Sequence, residues 1–431
     1  MKLCTTLIAF ILPFFALAQN PITLKSAIDS TLKNNFDIQI ASNNVEISKL
    51  NNNAGMAGGL PAVNISIVDN QTSSDVLQKL NSGAEIKKSA ANGNSLTSNI
   101  TAGILLFNGS RVIATRQRLQ SLQKQSELQL NLQIQNSIAG VMAKYFDIVR
   151  QSEYLKIIER SKDVSQTKLD IITDRKKVGM ANDADYLQAL IDLNTIIQSL
   201  KSQQLIVDQT KTELLQLMSM KKFYTFQLKD SIVVDKSIEL ESILSYLQKN
   251  PQYLSTEQQI KINEQVVKEV SSLRYPSLRV NTGLNFNRNQ SSAGLTLMNQ
   301  TIGPYAGISL QVPIYNGNTY KTQKKTAQVN VDNAKIQLES LLTALTADAL
   351  KTFNAYQTSI EQISSQQNSV DLSAKLIQVV LLRFKVNQAT ILDVKAAQAS
   401  FENSGYQLVN LSYAAKIAEI ELKRLKYQLA N

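Results

Sequence analysis

Leu106-Phe107-Asn108-Gly109 returns 208 positions later as Ile314-Tyr315-Asn316-Gly317. The same offset joins Arg175-Lys176-Lys177-Val178 to Arg383-Phe384-Lys385-Val386, Asp185 to Asp393 and Ala189 to Ala397. A constant offset over about 80 residues means that one structural unit is written twice, so the fold must be an internal duplication. Nearer the start of each half the offset is 215, which carries Ser30, Leu32 and Pro61 onto Ser245, Leu247 and Pro276. The difference has to be absorbed between these stretches, where loops tolerate changes of length. On this reading the first repeat occupies 19–219 and the second 240–431, and 220–239, which matches neither copy, connects them.

Both copies predict one order of elements. Each opens with an amphipathic helical stretch, Leu24 to about Gly55 and Ile238 to Leu273. A β-hairpin follows, within 60–107 and 276–313. Val63, Ile65 and Ile67 alternate with Asn64 and Ser66, and Ile100, Ala102, Ile104 and Leu106 with Asn99, Thr101 and Gly103. In the second copy Leu278, Val280, Leu284 and Phe286 alternate with Arg279, Asn281, Asn285 and Asn287, and Ala306, Ile308, Leu310 and Val312 with Tyr305, Ser309 and Gln311. Period-2 runs of about ten residues suit tilted strands that cross an outer membrane. The Asn- and Ser-rich segments Asp69–Leu96 and Asn289–Gln300 are expected to be the hairpin loops.

Long helical hairpins complete each copy, over 110–218 and 319–427. The first arms, Ser110 to about Val178 and Thr319 to about Val386, contain no proline. Roughly 68 residues make a helix of about 100 Å. The returning arms run Ala184–Met218 and Leu392–Tyr427. Leu130, Ile134, Ile138, Val141, Tyr145 and Ile148 fall at spacings of fours and threes, and Leu338, Leu342, Thr346, Ala349, Phe353 and Tyr356 stand at the equivalent places. So narrow a stripe is a coiled-coil seam, and its aromatic members are read as packing. The fold class is therefore mainly α with a membrane β-barrel. A long rod cannot bury its stripe alone, and four strands are half of the roughly eight that close a barrel. Several chains sharing one barrel and one helical tube meet both needs, and three would supply 12 strands.

The remaining composition narrows the function. Lys2, the apolar run Leu7–Leu17 and Ala16-Leu17-Ala18 form an export leader over 1–18, too short to span a bilayer as a helix. The one cysteine, Cys4, would leave with that leader. No later apolar run reaches 18 residues, so any membrane entry must use a closed barrel. Histidine is absent, which removes the commonest general base and metal ligand. Asp183 and Asp185 lack the setting of a metal site, no nucleophile elbow or paired-carboxylate site is present, and neither cofactor nor enzymatic activity is expected. The net charge of +11 is scattered along polar helix faces, a solvated surface rather than a nucleic-acid footprint.

The order helix, hairpin, long helical hairpin, written twice, resembles the TolC-like outer-membrane efflux proteins across essentially the whole mature chain. Leu60-Pro61 and Tyr275-Pro276 resemble the family's entries into the barrel. Leu105-Leu106-Phe107-Asn108-Gly109 and Val312-Pro313-Ile314-Tyr315-Asn316-Gly317 resemble its exits, and the segment from Val386 to Val394 resembles a periplasmic tip turn. The resemblance implies a homotrimer with a 12-stranded barrel in outer-membrane lipid and a 12-helix periplasmic tunnel. It also implies two partners, a periplasmic adaptor protein and an inner-membrane transporter of a tripartite efflux or type I secretion system. A periplasmic coiled-coil adaptor or scaffold is the rival reading; the two symmetric membrane-length hairpins favour the duct.

The resemblance also suggests site residues. Asp393 matches an aspartate lining the narrow periplasmic aperture, where three copies would raise one another's pKa by like-charge repulsion. The plainer reading is a solvated carboxylate at a helix start. Ala396 stands where some relatives carry a second aspartate. Asp185 and Phe384 fall where some relatives close the aperture with an aspartate and a tyrosine, and Ala389 replaces an arginine. Phe384 has no hydroxyl, so the same polar lock cannot form; Lys385 either supplies a cation or is simply solvated. Val178-Gly179-Met180 and Val386-Asn387-Gln388 look like the tip turns that meet the adaptor, where a sharp reversal by itself calls for Gly or Asn.

Overall fold

The computed structural model describes residues 22–228 and 230–429; the leader and Cys4 lie outside them. The elements run α1 (Leu24–Asn34), α2 (Phe36–Asn51), β1 (Ala62–Lys79), β2 (Glu85–Phe107), α3 (Arg111–Lys177), α4 (Asp183–Leu217), α5 (Leu240–Tyr246), α6 (Pro251–Ser272), β3 (Ser277–Ser291), β4 (Met298–Gln311), α7 (Thr319–Lys385) and α8 (Ile391–Leu425). The long helices end within a residue or two of the sequence expectation. Two compact units emerge, one containing Leu132–Asn250, Ala344 onward and the stretch through Ile40, the other Ala41–Asn131 and Pro251–Thr343. No described helix is long and apolar enough to cross a membrane.

The opening helices are each broken where the sequence suggests continuity. Asn35 and Asn250 take extended backbone, with φ near −60° and −64°. Pro251 explains the second break, since a residue before proline is pushed out of the helical region. The first has no proline. There Asn35 caps α2, its Oδ1 accepting from Ile38 N–H at 3.1 Å.

In the second unit, the strands form one antiparallel sheet in the order β1-β2-β3-β4. The register places Ile65 opposite Ile100, Ile100 opposite Leu284, and Leu284 opposite Pro304. One face therefore carries Val63, Ile65, Ile67, Leu284, Ile302, Ile308 and Leu310, all exposed in the single chain. From Leu278 to Phe286 this band runs about 27 Å at 3.4 Å per residue, close to an outer-membrane apolar band. The other face carries Asn64, Ser66, Asn281, Gly283 and Asn285. At Gly283 a Cβ would stand 2.1 Å from the Ile100 carbonyl and 2.9 Å from the Tyr305 ring, so only glycine fits.

The expected hairpin loops are strand instead. β1 and β2 pair from Ala62↔Gly103 out to Lys79↔Glu85, and β3 and β4 out to Gln290↔Met298. Beyond Val68 most side chains are polar and the few apolar ones, such as Val76 and Leu77, do not alternate, so the period-2 signal vanishes, while the ladder uses only backbone groups. Short turns near Gly83 and across 292–297 join the strands, and a bulge at Asp75 interrupts the first ladder.

The first unit is built on the predicted seam. Ile138, Val141, Tyr145 and Ile148 of α3 are at most 1% exposed. Tyr145, Phe146, Leu214, Leu215, Ile420 and Phe226 form one cluster with Ile22 and Ala27. Tyr145 donates its hydroxyl to Ile22 O at 3.2 Å and to the Asp230 carboxylate. Burial and that carboxylate push the tyrosine pKa well above its usual range. The described residues of 220–239 form neither helix nor strand and are strapped down by polar contacts. Lys416 Nζ donates to Val233 O at 2.8 Å, Asp235 N–H to Glu419 at 2.9 Å, and Lys423 pairs with Asp235 at 3.0 Å. Hydrogen bonds from Ser237, and then Lys423, hold the Asp235 carboxyl well below its usual range.

Candidate functional site at the hairpin tips

Each long helix reverses through the same turn. Met180 N–H reaches Arg175 O at 2.8 Å and Gly179 N–H reaches Lys176 O at 3.1 Å; Gln388 repeats the first bond with Arg383 at 2.8 Å and Asn387 the second with Phe384 at 3.2 Å. This paired pattern ends a helix on a residue in the left-handed region. Gly179 has φ +75° and Asn387 φ +65°. The returning helices begin equivalently: Asn182 accepts from Asp185 N–H at 2.7 Å and Thr390 from Asp393 N–H at 3.2 Å.

Beneath the turns, Ile172, Ala189, Phe384 and Val394 form a small core. Phe384, placed by resemblance at an aperture, is 2% exposed within that core. Arg175 stacks its guanidinium 4.5 Å over the Phe384 ring and donates to the Phe384 carbonyl. Its repeat mate Arg383 instead donates to Gln388 O in its own turn, at 3.0 Å. Deeper, Lys168 pairs with Asp192 at 2.6 Å and Lys395 pairs with the same carboxylate at 3.3 Å. Burial pushes the Asp192 carboxyl up, but hydrogen bonds from Lys168 and Gln188 and the Lys168 charge outweigh it and hold it below its usual range.

The two tips differ in chemistry. Lys176 pairs with Asp183 at 2.6 Å and Lys177 with Asp174 at 2.9 Å. Their equivalents Phe384, Ile391 and Leu382 are apolar, and only Lys385 keeps its charge. Asp393 is exposed and accepts from Thr390 N–H at 2.7 Å and Thr390 Oγ1 at 2.8 Å. The backbone bond and then the hydroxyl bond hold its carboxyl below its usual range. Met180, Asp185, Phe384, Asn387, Gln388, Ala389 and Asp393 line one open cleft of about 600 Å³. Val178, Lys385 and Val386 lie outside it, exposed, with Gly179 exposed between Val178 and Met180. The apolar side chains Val178, Met180, Val386 and Leu392 are 63–75% exposed in the single chain. Arg175 and the Lys168–Asp192 pair escaped sequence reasoning: repeat matching flagged Arg175 as a position but said nothing of its reach.

A family model described as outer membrane efflux protein matches residues 27–219 and 243–426, once in each half. The outer membrane protein TolC of Escherichia coli K12 is 22% identical over 372 residues, covering 82% of this chain and 75% of that protein. The CmeC outer membrane channel of Campylobacter jejuni shares the fold at a TM-score of 0.75, with 17% identity over 94% of this chain and 85% of that one. The outer membrane protein VceC of Vibrio cholerae does so at 0.70, with 15% identity over 94% and 95%. With the duplication, the sheet and the paired tips, these matches show that the chain belongs to the outer membrane efflux protein family, an efflux channel of the outer membrane whose helical part lies in the periplasm.

Proposed function

We propose that three copies join their sheets into one 12-stranded barrel and their helical hairpins into a 12-helix tunnel. The assembly is the exit duct of a tripartite efflux or type I secretion system, fed by a periplasmic adaptor protein and an inner-membrane transporter. The observation that carries this reading is the four-stranded sheet with unpaired edges at β1 and β4 and an exposed apolar face. Lipid tolerates no open sheet edge, so the sheet must close with others.

In the trimer Asp393 forms a ring at the periplasmic aperture, while Asp185, half-buried in the chain, faces a neighbouring helix. Phe384 holds the tip core, with Lys385 and Ala389 beside it. The turns Val178-Gly179-Met180 and Val386-Asn387-Gln388 meet the adaptor. The test is fractionation followed by sizing in mild detergent. The protein is expected with outer membranes at about 140 kDa plus detergent, three times a chain of 47.8 kDa less its leader. Recovery as a soluble monomer overturns the reading.

A further inference from the structure

The duplication carries a register from inside the chain to the boundary between chains. Hairpin one pairs Ala62 with Gly103. Adding 215 to the first and 208 to the second gives Ser277 and Gln311, which are paired in hairpin two. The two offsets thus reproduce an observed register without slippage. They also make β4 the repeat of β2 and β1 the repeat of β3. The β2–β3 joint within the chain is therefore a template for a β4–β1 joint between copies.

In that template Gly103 faces Asn281, Ala102 faces Thr282 and Ile104 faces Val280. We propose that β4 of one copy pairs with β1 of the next in the transferred register: Gln311 opposite Ser66, Leu310 opposite Ile67, and Val312 opposite Ile65 of the partner subunit. The proposal rests on the oligomeric-barrel reading above and adds the residues that meet.

Two further features agree with it. The transferred pairs match in character, since Leu310 and Val312 meet Ile67 and Ile65 on the apolar face while Gln311 meets Ser66 on the polar one. A slip of one residue would set apolar against polar along the whole edge. All four apolar members are 53–65% exposed in the single chain, as an uncovered edge should be.

The lower end of the joint can be read the same way. Within the chain, Ser272 Oγ donates to Gly109 O at 2.7 Å, and a Cβ on Gly109 would stand 2.7 Å from Tyr275 Cβ. The repeat equivalents are Gly317, Ala57 and Leu60. Ala57 has no hydroxyl, so between copies this end closes by packing of Leu60, 59% exposed in the single chain, on Gly317.

Disulfide trapping tests the register. The sequence's one cysteine is Cys4, in the leader, so added thiols report alone. Full-length protein carrying Gln311→Cys and Ser66→Cys is oxidised in outer membranes and run on a non-reducing denaturing gel. Within one chain Gln311 lies three strands across from Ser66 and eight residues along from Gly303, which shares the register of Ser66, about 30 Å away and beyond the reach of a disulfide. Covalent dimers and trimers are expected from this pair, and several-fold less from Gln311→Cys with Asn64→Cys or Val68→Cys, which sit about 7–8 Å off on the diagonal. Leu310→Cys with Ile67→Cys repeats the test on the opposite face should the first pair fail to assemble. Strongest crosslinking at a shifted pair, or none in a protein that sizes as a trimer, overturns the register. A monomer of the unsubstituted chain would instead overturn the barrel reading beneath it.

Discussion

Asn35 and Asn250, 215 positions apart, each donate a side-chain amide to the last carbonyl of a returning helix: Asn35 Nδ2 to Leu217 O at 2.9 Å, Asn250 Nδ2 to Leu425 O at 3.0 Å. Those carbonyls have no partner within their own helices. Asn250→Ala should cost about 1–3 kcal/mol, because a buried acceptor loses its donor, and Asn35→Ala about 1–2 kcal/mol, because it removes both this bond and the cap of α2. Asn35→Asp should be worse than Asn35→Ala, since it sets a carboxylate against the Leu217 carbonyl. Thermal melting of the purified protein checks both; unchanged midpoints would make the two bonds incidental.

The Lys168–Asp192 pair gives a pH prediction. The Lys168 side chain is 1% exposed and that of Asp192 12%, so Asp192→Ala strands a buried cation and should cost about 3–5 kcal/mol. The Asp192 carboxyl is held below its usual range when folded, so its contribution is complete above the unfolded value, about pH 4, and is lost as pH falls through the folded one. Hydrogen exchange across 165–195 should show a gap between wild type and Asp192→Asn at neutral pH. On acidification below about pH 4 that gap should close. A gap that persists in acid would assign the effect to packing.

Gly179 and Asn387 occupy equivalent left-handed positions but should respond differently. Gly179→Val places a β-branched residue at φ +75° and should cost about 1–2 kcal/mol at the tip. Asn387→Gly should be nearly silent, since glycine accepts φ +65° freely. With the barrel remote in sequence, Gly179→Val should keep the trimer yet lose adaptor crosslinking and export. Unimpaired docking in Gly179→Val would remove that turn from the proposed interface.

Asp393→Asn separates charge from capping. Asparagine keeps an oxygen for Thr390 N–H, so the start of α8 survives while one negative charge per copy disappears. Cation selectivity in planar bilayers should fall, and block by multivalent cations from the periplasmic side should weaken. Asp185→Asn, in the half-buried equivalent position, should change selectivity little. Identical conductance and selectivity in Asp393→Asn and wild type would leave Asp393 a capping residue only.

Gly283→Ala should abolish heat-stable assembly, because the new methyl meets the Ile100 carbonyl at 2.1 Å and the Tyr305 ring at 2.9 Å. Adding Tyr305→Ala should not restore it, since the nearer obstacle is backbone. Rescue by the double variant, seen on unheated denaturing gels, would show that the ring alone sets the limit.

The sequence by itself determined the duplication, the ends of the long helices and the positions of their turns. It could do so because these depend on local signals: Gly179 and Asn387 for positive φ, Asn182 and Thr390 for caps, and a seam repeating along Ile138, Val141, Tyr145 and Ile148. It also determined the membrane-facing strand segments, where one apolar face writes alternation into the residues. The tertiary structure alone decided the rest. Strand pairing beyond Val68 depends on backbone bonds that mostly polar side chains do not announce. The tie from Asn35 to the Leu217 carbonyl joins residues 182 positions apart. The burial of Phe384 in the tip core beneath Arg175, 209 positions earlier in the chain, is likewise a tertiary fact. Contacts of that kind join residues distant in sequence through one side chain each, and no periodicity or local propensity encodes them.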